Sequence, residues 1–332
     1  MTDLNWSFAE VWNKSLQQRD ERKVVARDHV WASELGKSYV DRWYKMKGHK
    51  PSNPPNARSL RKFEAGNVFE WIVEMVLKRA GLLIDKQEWI EYQIPGLPRV
   101  TGKLDQLAGG CPDWEKAESG INGDSMPEFM SRVAKDIVKY FKKEHPDGLK
   151  PIVLETKSVG SFMFSKYEGG GVAEKHHILQ LYHYLLAKDM HEGHIVYISK
   201  DDLMLVEFGV MRPSQVELQY KSDLIGLKAI LESNDPPKPE SEITWDKDVN
   251  KFRANWKVAY SPYLTKVYGY KDQAEFDGKW KGKVAQWNRV VGRVISGKNM
   301  TALNKSVILD IEKDFPDFEV LVKVKDSNKV EK

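Results

Sequence analysis

The chain is short of what several protein classes need. Cys111 is the single cysteine in 332 residues, which excludes an intramolecular disulfide and a four-thiolate metal site. No window approaches about 18 consecutive apolar residues, so no transmembrane helix is expected. The opening MTDLNWSFAEVWNKSL lacks an apolar run of signal-peptide length, which sets the expectation of a soluble, cytoplasmic protein. Low-complexity tracts and obvious internal repeats are missing too. So is an excess of one charge: 52 Lys and Arg nearly offset 48 Asp and Glu, a formal net charge of +4. Taken whole, that balance does not suggest a polyanionic partner.

What is present points elsewhere. Hydrophobic residues make up 41% and aromatics 11% of the chain, which excludes a disordered or collagen-like protein. The length suffices for one large domain or two ordinary ones, each with a core. Divided by segment, the charge balance disappears. Residues 1–62 carry 13 Lys and Arg against 7 Asp and Glu. Residues 236–332 carry 19 against 14, whereas 63–235 carry 20 against 27. The chain is basic, then acidic, then basic again.

The periodicity predicts amphipathic helices over 5–20 and 28–47, the second carrying Trp31, Leu35, Tyr39, Trp43 and Tyr44. The Pro- and Asn-rich HKPSNPPNARS breaks the pattern. Ser59 is placed to cap a helix running to about Ala80, with Gly81 as its stop. KQEWIEYQI and RVTGKLDQL then read as strands around the turn PGLP. Residues 109–149 interrupt the pattern, with a helical stretch near 127–144, before the apolar strand PIVLETKS. After the glycine-rich SKYEGGG come a helix over 172–190, strands HIVYIS and LMLVEFGV, and a helix near 213–233. PPKPE at 236–240 reads as a linker. The domains expected are a helical region 1–58, an α/β core 59–235 with insert 109–149, and an aromatic-basic region 236–332. Helices sandwiching a mixed sheet is the economical layer solution for that core.

The chemistry concentrates at Glu155-Thr156-Lys157, at the end of the apolar strand. Period two puts Glu155 and Lys157 on one face, beside Val153. A carboxylate and an ammonium at the end of a buried strand need partners, because stranding either is costly. Alone, the pair is a weak signal and reads first as an ordinary edge-strand ion pair. Asp105, in GKLDQL, would be the neighbouring carboxylate if the two strands pair. Glu70 sits in a helix among Val68, Phe69, Trp71, Ile72 and Val73, an awkward place for an unpaired charge. Gly66, one turn earlier, would allow a close backbone approach. His176, Gln180 and Tyr184 share one helix face at i, i+4 and i+8. Three carboxylates converging with a lysine make a hard-cation site suited to Mg²⁺ or Mn²⁺.

These motifs give the chain, from about Ser33 to Val210, a resemblance to the PD-(D/E)xK nucleases. The match is to the RecB-type exonuclease branch, with similarity also to phage lambda-type exonucleases. SELGKSYVDRWYKMKG resembles the opening helix of that branch, and GNVFEW its next helix. GKLDQL resembles the aspartate motif, VLETKS the ExK motif, and HHILQLYHYL the QxxxY motif. The resemblance implies a restriction-endonuclease-like mixed sheet flanked by helices. It implies Asp105, Glu155 and the backbone carbonyl of Thr156 as metal ligands. Lys157 would be the catalytic lysine, Gln180 and Tyr184 its accessory pair, and Glu70 a third ligand with Glu74 as rival. The activity implied is an Mg²⁺- or Mn²⁺-dependent deoxyribonuclease, an exonuclease of recombination, repair or phage DNA processing, prokaryotic or phage-encoded. An endonuclease on the same core, or a non-catalytic DNA-end-binding recombination factor, stands as the alternative. DNA is the partner implied and a membrane is not; relatives occur as toroidal trimers and as monomers, so a homo-oligomer or a recombination or helicase partner fits as well.

Two departures stand out. Several relatives hold an iron–sulphur cluster with four cysteines; here Lys37 and Ser38 occupy the position of one, so no such cluster is expected. The insert 109–149 is far longer than a typical connection. Other residues carry two readings. His176 and His177 read first as surface residues at a helix start, with a direct metal role as the sharper alternative and His177 a candidate DNA contact. The segment SVGSFMFSKYEGGG reads as a gate with Lys166 on phosphate, or as a passive connector. In 245–305, 13 Lys and Arg stand against 5 Asp and Glu. There Trp256, Lys257, Lys279, Trp280, Lys281 and Lys283 are candidate DNA contacts, since lysines neutralise phosphates and aromatics stack bases. Some of those aromatics must instead form a core.

Overall fold

A computed structural model of the chain describes residues 7–20, 24–110, 113–123, 128–213, 215–246, 249–296, 298 and 301–315. Cys111 lies outside the described residues. The chain divides into two compact units, Met1–Lys50 with Pro55–Pro237, and Pro51–Pro54 with Lys238–Lys332.

The first unit runs α1 (Phe8–Asp20), β1 (His29–Trp31), a 3-10 turn (Ala32–Glu34), α2 (Tyr39–Met46) and α3 (Ala57–Arg79). It continues with β2 (Leu83–Tyr92), β3 (Arg99–Gly110), α4 (Trp114–Gly123), α5 (Glu128–Glu144) and β4 (Leu149–Val159). Then follow α6 (Ser161–Glu168), α7 (Lys175–Ala187), β5 (Glu192–Ser199), β6 (Leu205–Met211) and α8 (Val216–Leu231). Six strands form one mixed sheet in the order β1-β3-β4-β5-β6, with β2 paired to β3. The β1–β3 and β4–β5 pairs are parallel and the others antiparallel. This is the α/β arrangement expected, a mixed sheet flanked by helices and consistent with a restriction-endonuclease-like core.

The core explains why α7 is so apolar. Leu179, Leu181, Tyr182, Tyr184 and Leu185 are buried together with Leu104, Val153, Ile195 and Tyr197 of the sheet. A helix buried nearly all round needs apolar residues on most of its faces. On its far side, Arg42 of α2 makes a bidentate pair with Asp223 of α8 at 2.7 and 2.8 Å.

Three local expectations change. Residues 28–47 are not one helix: His29–Trp31 pair in parallel with Arg99–Thr101, and only Tyr39–Met46 is α-helical in that stretch. A partner strand 70 residues away in sequence overrides the local period. The cap of α3 is Asn56, whose side chain accepts the Ser59 N–H at 3.0 Å, rather than Ser59 itself. The segment 160–171 is not all loop, since Ser161–Glu168 form α6 with Phe164 and Tyr167 buried. The insert folds as α4 and α5, joined by a small cluster of Ala134, Val138, Trp114 and Ala117.

The second unit holds a hairpin of β7 (Ile243–Asp246) and β8 (Lys251–Ala254), the short α9 (Trp256–Ala259), a π-helical turn at Leu264–Tyr268, α10 (Gln273–Ile295) and α11 (Ala302–Asp314). Its core gathers Phe252, Phe276, Trp280, Trp287, Val291 and Ile311. Among the described residues, no helix is long and apolar enough to cross a membrane.

Candidate active site

Strand β3 shares one edge between two partners. β2 runs along its other edge, while β1 pairs with residues 99–101 and β4 with residues 106–110. Past Leu154, β4 leaves β3 and stays paired with β5 as far as Val159. The two central strands therefore fork, and residues 102–105 of β3 have no strand beside them on that edge. Side chains fill the fork. Asp105 Oδ2 accepts the Thr156 N–H at 3.0 Å, and Tyr184 Oη donates to the Lys103 carbonyl at 2.7 Å. Gln180 Nε2 donates in turn to Tyr184 Oη at 3.3 Å. Thr156 Oγ1 donates to Gln106 Oε1 at 3.1 Å, and Gln106 Nε2 reaches the Glu70 carbonyl at 3.4 Å, tying α3 to the fork.

The charged groups sit in this frame. Glu155 is completely buried; Lys157 Nζ donates to its Oε1, and its Oε2 has no hydrogen-bond partner. Burial first, and then the negative charge of Asp105, push the Glu155 carboxyl up to about 8. Burial likewise raises Asp105, against the pull of Lys157 and the Thr156 N–H. Glu70 is pushed up to about 7 by burial and by Asp105. Burial opposes the charge on Lys157 also, but the attraction of Glu155, Asp105 and Glu70 outweighs it and holds the lysine protonated. The asymmetry within the Glu155–Lys157 pair has a simple cause: one ammonium, with 22% of its side chain still open to solvent, faces three carboxylates. Fully ionised, the four groups carry two net negative charges.

That residual charge, and the orphaned oxygen of Glu155, fit a hard divalent cation. Among the described residues, no three His, Cys, Asp or Glu side chains stand as a ready-formed metal cage. The oxygens that could hold a cation are Glu155 Oε2, the Asp105 carboxylate, the Glu70 carboxylate and the Thr156 carbonyl. Glu74, the rival of Glu70, is engaged elsewhere in an ion pair with Lys86. Gly66 is not a point of close approach: a Cβ there would meet only Ser158 Oγ, at 3.7 Å.

The remaining candidates fall in different places. His177 is tied through Nδ1 to Tyr197 Oη at 2.8 Å, and burial holds it neutral, so it brings no positive charge to a phosphate. Lys166 is exposed on α6, its ammonium 4.8 Å from the Phe162 ring centroid. In the second unit Trp280 is a core residue whose indole N–H donates to Glu242 at 2.7 Å, which removes it as a base-stacking surface. Lys279 pairs with Glu242 at 3.4 Å and Lys283 with Asp314 at 3.2 Å. Lys281 is exposed, Trp256 is half-exposed and Lys257 half-buried.

Two site residues had little signal in the sequence. Lys37 lies near enough to Lys157 and His177 to affect both, and burial, then Lys45 and Lys157, lower it to about 8. Its only mark was its place in the opening motif. Gly102 permits the fork to be filled, since a Cβ there would stand 2.8 Å from both Ala32 Cβ and Tyr184 Oη.

No protein-family model matches the chain, and no curated protein matches it. Among solved structures it is similar to SSO0001, at 16% identity and a TM-score of 0.42, over 78% of this chain and 95% of that one. It is also similar to an alkaline exonuclease, LHK-Exo from Laribacter hongkongensis, at 13% identity and a TM-score of 0.36, over 67% of this chain and 94% of that one. The complex of LHK-Exo with dAMP gives 13% identity and a TM-score of 0.37 over the same shares.

Proposed function

We propose that the protein is a divalent-cation-dependent deoxyribonuclease that hydrolyses phosphodiester bonds, working as an exonuclease in DNA recombination, repair or phage DNA processing. The carrying observation is the cluster at the strand fork: a fully buried glutamate with an unpartnered oxygen, two further carboxylates beside it and one protonated lysine. A stably folded chain has no structural use for three neighbouring carboxyls whose ionisation its own fold opposes. Asp105, Glu155, Glu70 and the Thr156 carbonyl would hold Mg²⁺ or Mn²⁺. When bound, such a cation neutralises the phosphodiester and lowers the pKa of the attacking water.

The chain's own groups supply the rest. Lys157 keeps its proton, so it acts as a charged donor toward oxygens that gain negative charge, rather than as a base. Tyr184 and Gln180 hold the Lys103 carbonyl and one wall of the fork. In the hydrolysis the water oxygen bonds to phosphorus and gives up a proton, the P–O bond to the leaving oxygen breaks, and that oxygen takes up a proton, so none is gained or lost overall.

The test is digestion of end-labelled single- and double-stranded DNA, beside covalently closed circles, with Mg²⁺, Mn²⁺ or EDTA. Linear DNA should be degraded only with cation, and closed circles left uncut. Glu155→Gln and Lys157→Ala should each lose at least about 10²-fold in rate. Full cleavage by either variant would refute the mechanism, and cut circles would replace the exonuclease by an endonuclease. Salt-dependent DNA binding without turnover would leave a DNA-end-binding factor.

A further inference from the structure

Beside the carboxylate cluster, the empty stretch of β3 opens into a cavity of about 310 Å³ lined by Trp31, Ser33, Trp89, Gly102, Lys103, Gln180 and Tyr184. The mechanism above uses Gln180 and Tyr184 from its inner wall and nothing from its outer wall. The outer wall is unusual. Trp89 stands opposite Lys103 in the β2–β3 ladder and is 51% exposed. Trp31, at the end of β1, meets it edge to face, with ring centroids 5.2 Å apart and planes at 86°. Trp31 is held from behind by His29, at 5.5 Å, and its backbone N–H donates to Glu34, which Arg27 and Lys45 clamp in turn. Lys103 is exposed, and among the described residues its ammonium has no ion-pair or hydrogen-bond partner. Two indoles at a right angle, a free cation and an amide, around a space at the lower end of ligand-pocket volumes, suit one flat heteroaromatic carrying a negative charge.

We propose that this cavity binds a single unpaired nucleotide of the DNA substrate, its base stacked on the exposed Trp89 ring with its edge toward Trp31, and a phosphate on Lys103. Resting on the nuclease reading, it names the form in which substrate is held. Bases inside a duplex are stacked on their neighbours and offer no free π-face, so only a single-stranded or frayed end can fill the site. The inner wall of the cavity is shared with the fork. The filled cavity therefore places an unpaired nucleotide immediately beside the scissile phosphate.

The experiment measures fluorescence anisotropy of the full-length protein with labelled oligo-dT, with an abasic strand of equal length, and with blunt duplex, Ca²⁺ replacing Mg²⁺. Wild type should bind oligo-dT more tightly than the abasic strand. Trp89→Ala should lose about 5- to 150-fold on oligo-dT, and nothing on the abasic strand. Trp89→Phe should restore most of the loss, and Lys103→Ala should weaken both strands and flatten the salt dependence. The half-exposed position of Trp89 keeps the variant folded, which thermal melting checks. Equal binding of oligo-dT by wild type and Trp89→Ala, or of abasic and base-bearing strands by wild type, would overturn the subsite. If wild type still degrades DNA in that case, the nuclease reading survives alone. If wild type neither binds nor cuts any DNA, both fall.

Discussion

Replacing Glu155 by glutamine should stabilise the protein while lowering the proposed cleavage by at least about 10²-fold. The carboxyl has an ordinary pKa of 4.5 and is held at about 8 in the folded chain. At pH 7 the folded group therefore keeps a proton that the unfolded chain releases, a difference worth about 3 kcal/mol. Glutamine copies the size and neutrality of the protonated form, so the variant escapes that cost. The sign follows from the protons bound. Between pH 4.5 and 8 the folded state holds more protons at this position than the unfolded state, so wild type loses stability as pH rises through that window. Asp105 and Glu70, both also raised, keep part of the slope in both proteins, and the difference isolates Glu155. Urea unfolding with EDTA, at several pH values from about 5 to 8, compares the midpoints at constant m. The variant should gain nothing near pH 4.5 and about 3 kcal/mol by pH 7. Added Mn²⁺ should stabilise wild type more at high pH than at low, because a ligand carboxylate must first lose its proton. A variant no more stable than wild type at pH 7, or a gain independent of pH, would refute the reasoning.

Two more perturbations probe the frame around the site. Asp223→Ala strips the buried Arg42 of its partner and the Gly36 N–H of an acceptor, and should cost about 3–5 kcal/mol in urea unfolding. The double change Arg42→Met, Asp223→Leu should recover most of that loss; a single variant as stable as wild type would contradict it. Gly102→Ala puts a methyl group 2.8 Å from Tyr184 Oη, which should cost about 1–3 kcal/mol in thermal unfolding and lower cleavage more than Ser59→Ala, a control outside the site. Unchanged cleavage and stability would show that Tyr184 can move aside.

Some of this site was legible from local pattern. The strands carrying Asp105 and Glu155 and the helix carrying Gln180 and Tyr184 follow from alternation and period, which are properties of neighbouring residues. That the two strands adjoin stayed conditional in the sequence and is supplied by the β3–β4 pairing. Other features hung on distant contacts. Trp31 reads as part of an amphipathic helix and lies in a strand, because Arg99–Thr101 supply its partner. Glu70 and Glu74, one turn apart, are equivalent in sequence; Lys86 on β2 takes Glu74 out of the site. Trp280 and Trp256 both stand beside lysines, yet one is in a core and the other half-exposed.

The sequence alone determined which residues are candidates for the proposed chemistry: a carboxylate and a lysine two apart at the end of an apolar strand, a second acidic strand, and a polar face on a buried helix. Composition and period suffice for that, since burying such groups is costly wherever the chain goes. Only the tertiary structure decided what the groups become. Strand β4 parts from β3 after Leu154, and the gap brings three carboxylates into mutual repulsion around one ammonium. It also leaves open, beside them, a cavity walled by tryptophans from two different strands. Divergence of paired strands, and the burial that shifts a proton's affinity, are relations between residues far apart in the chain, which no local pattern encodes.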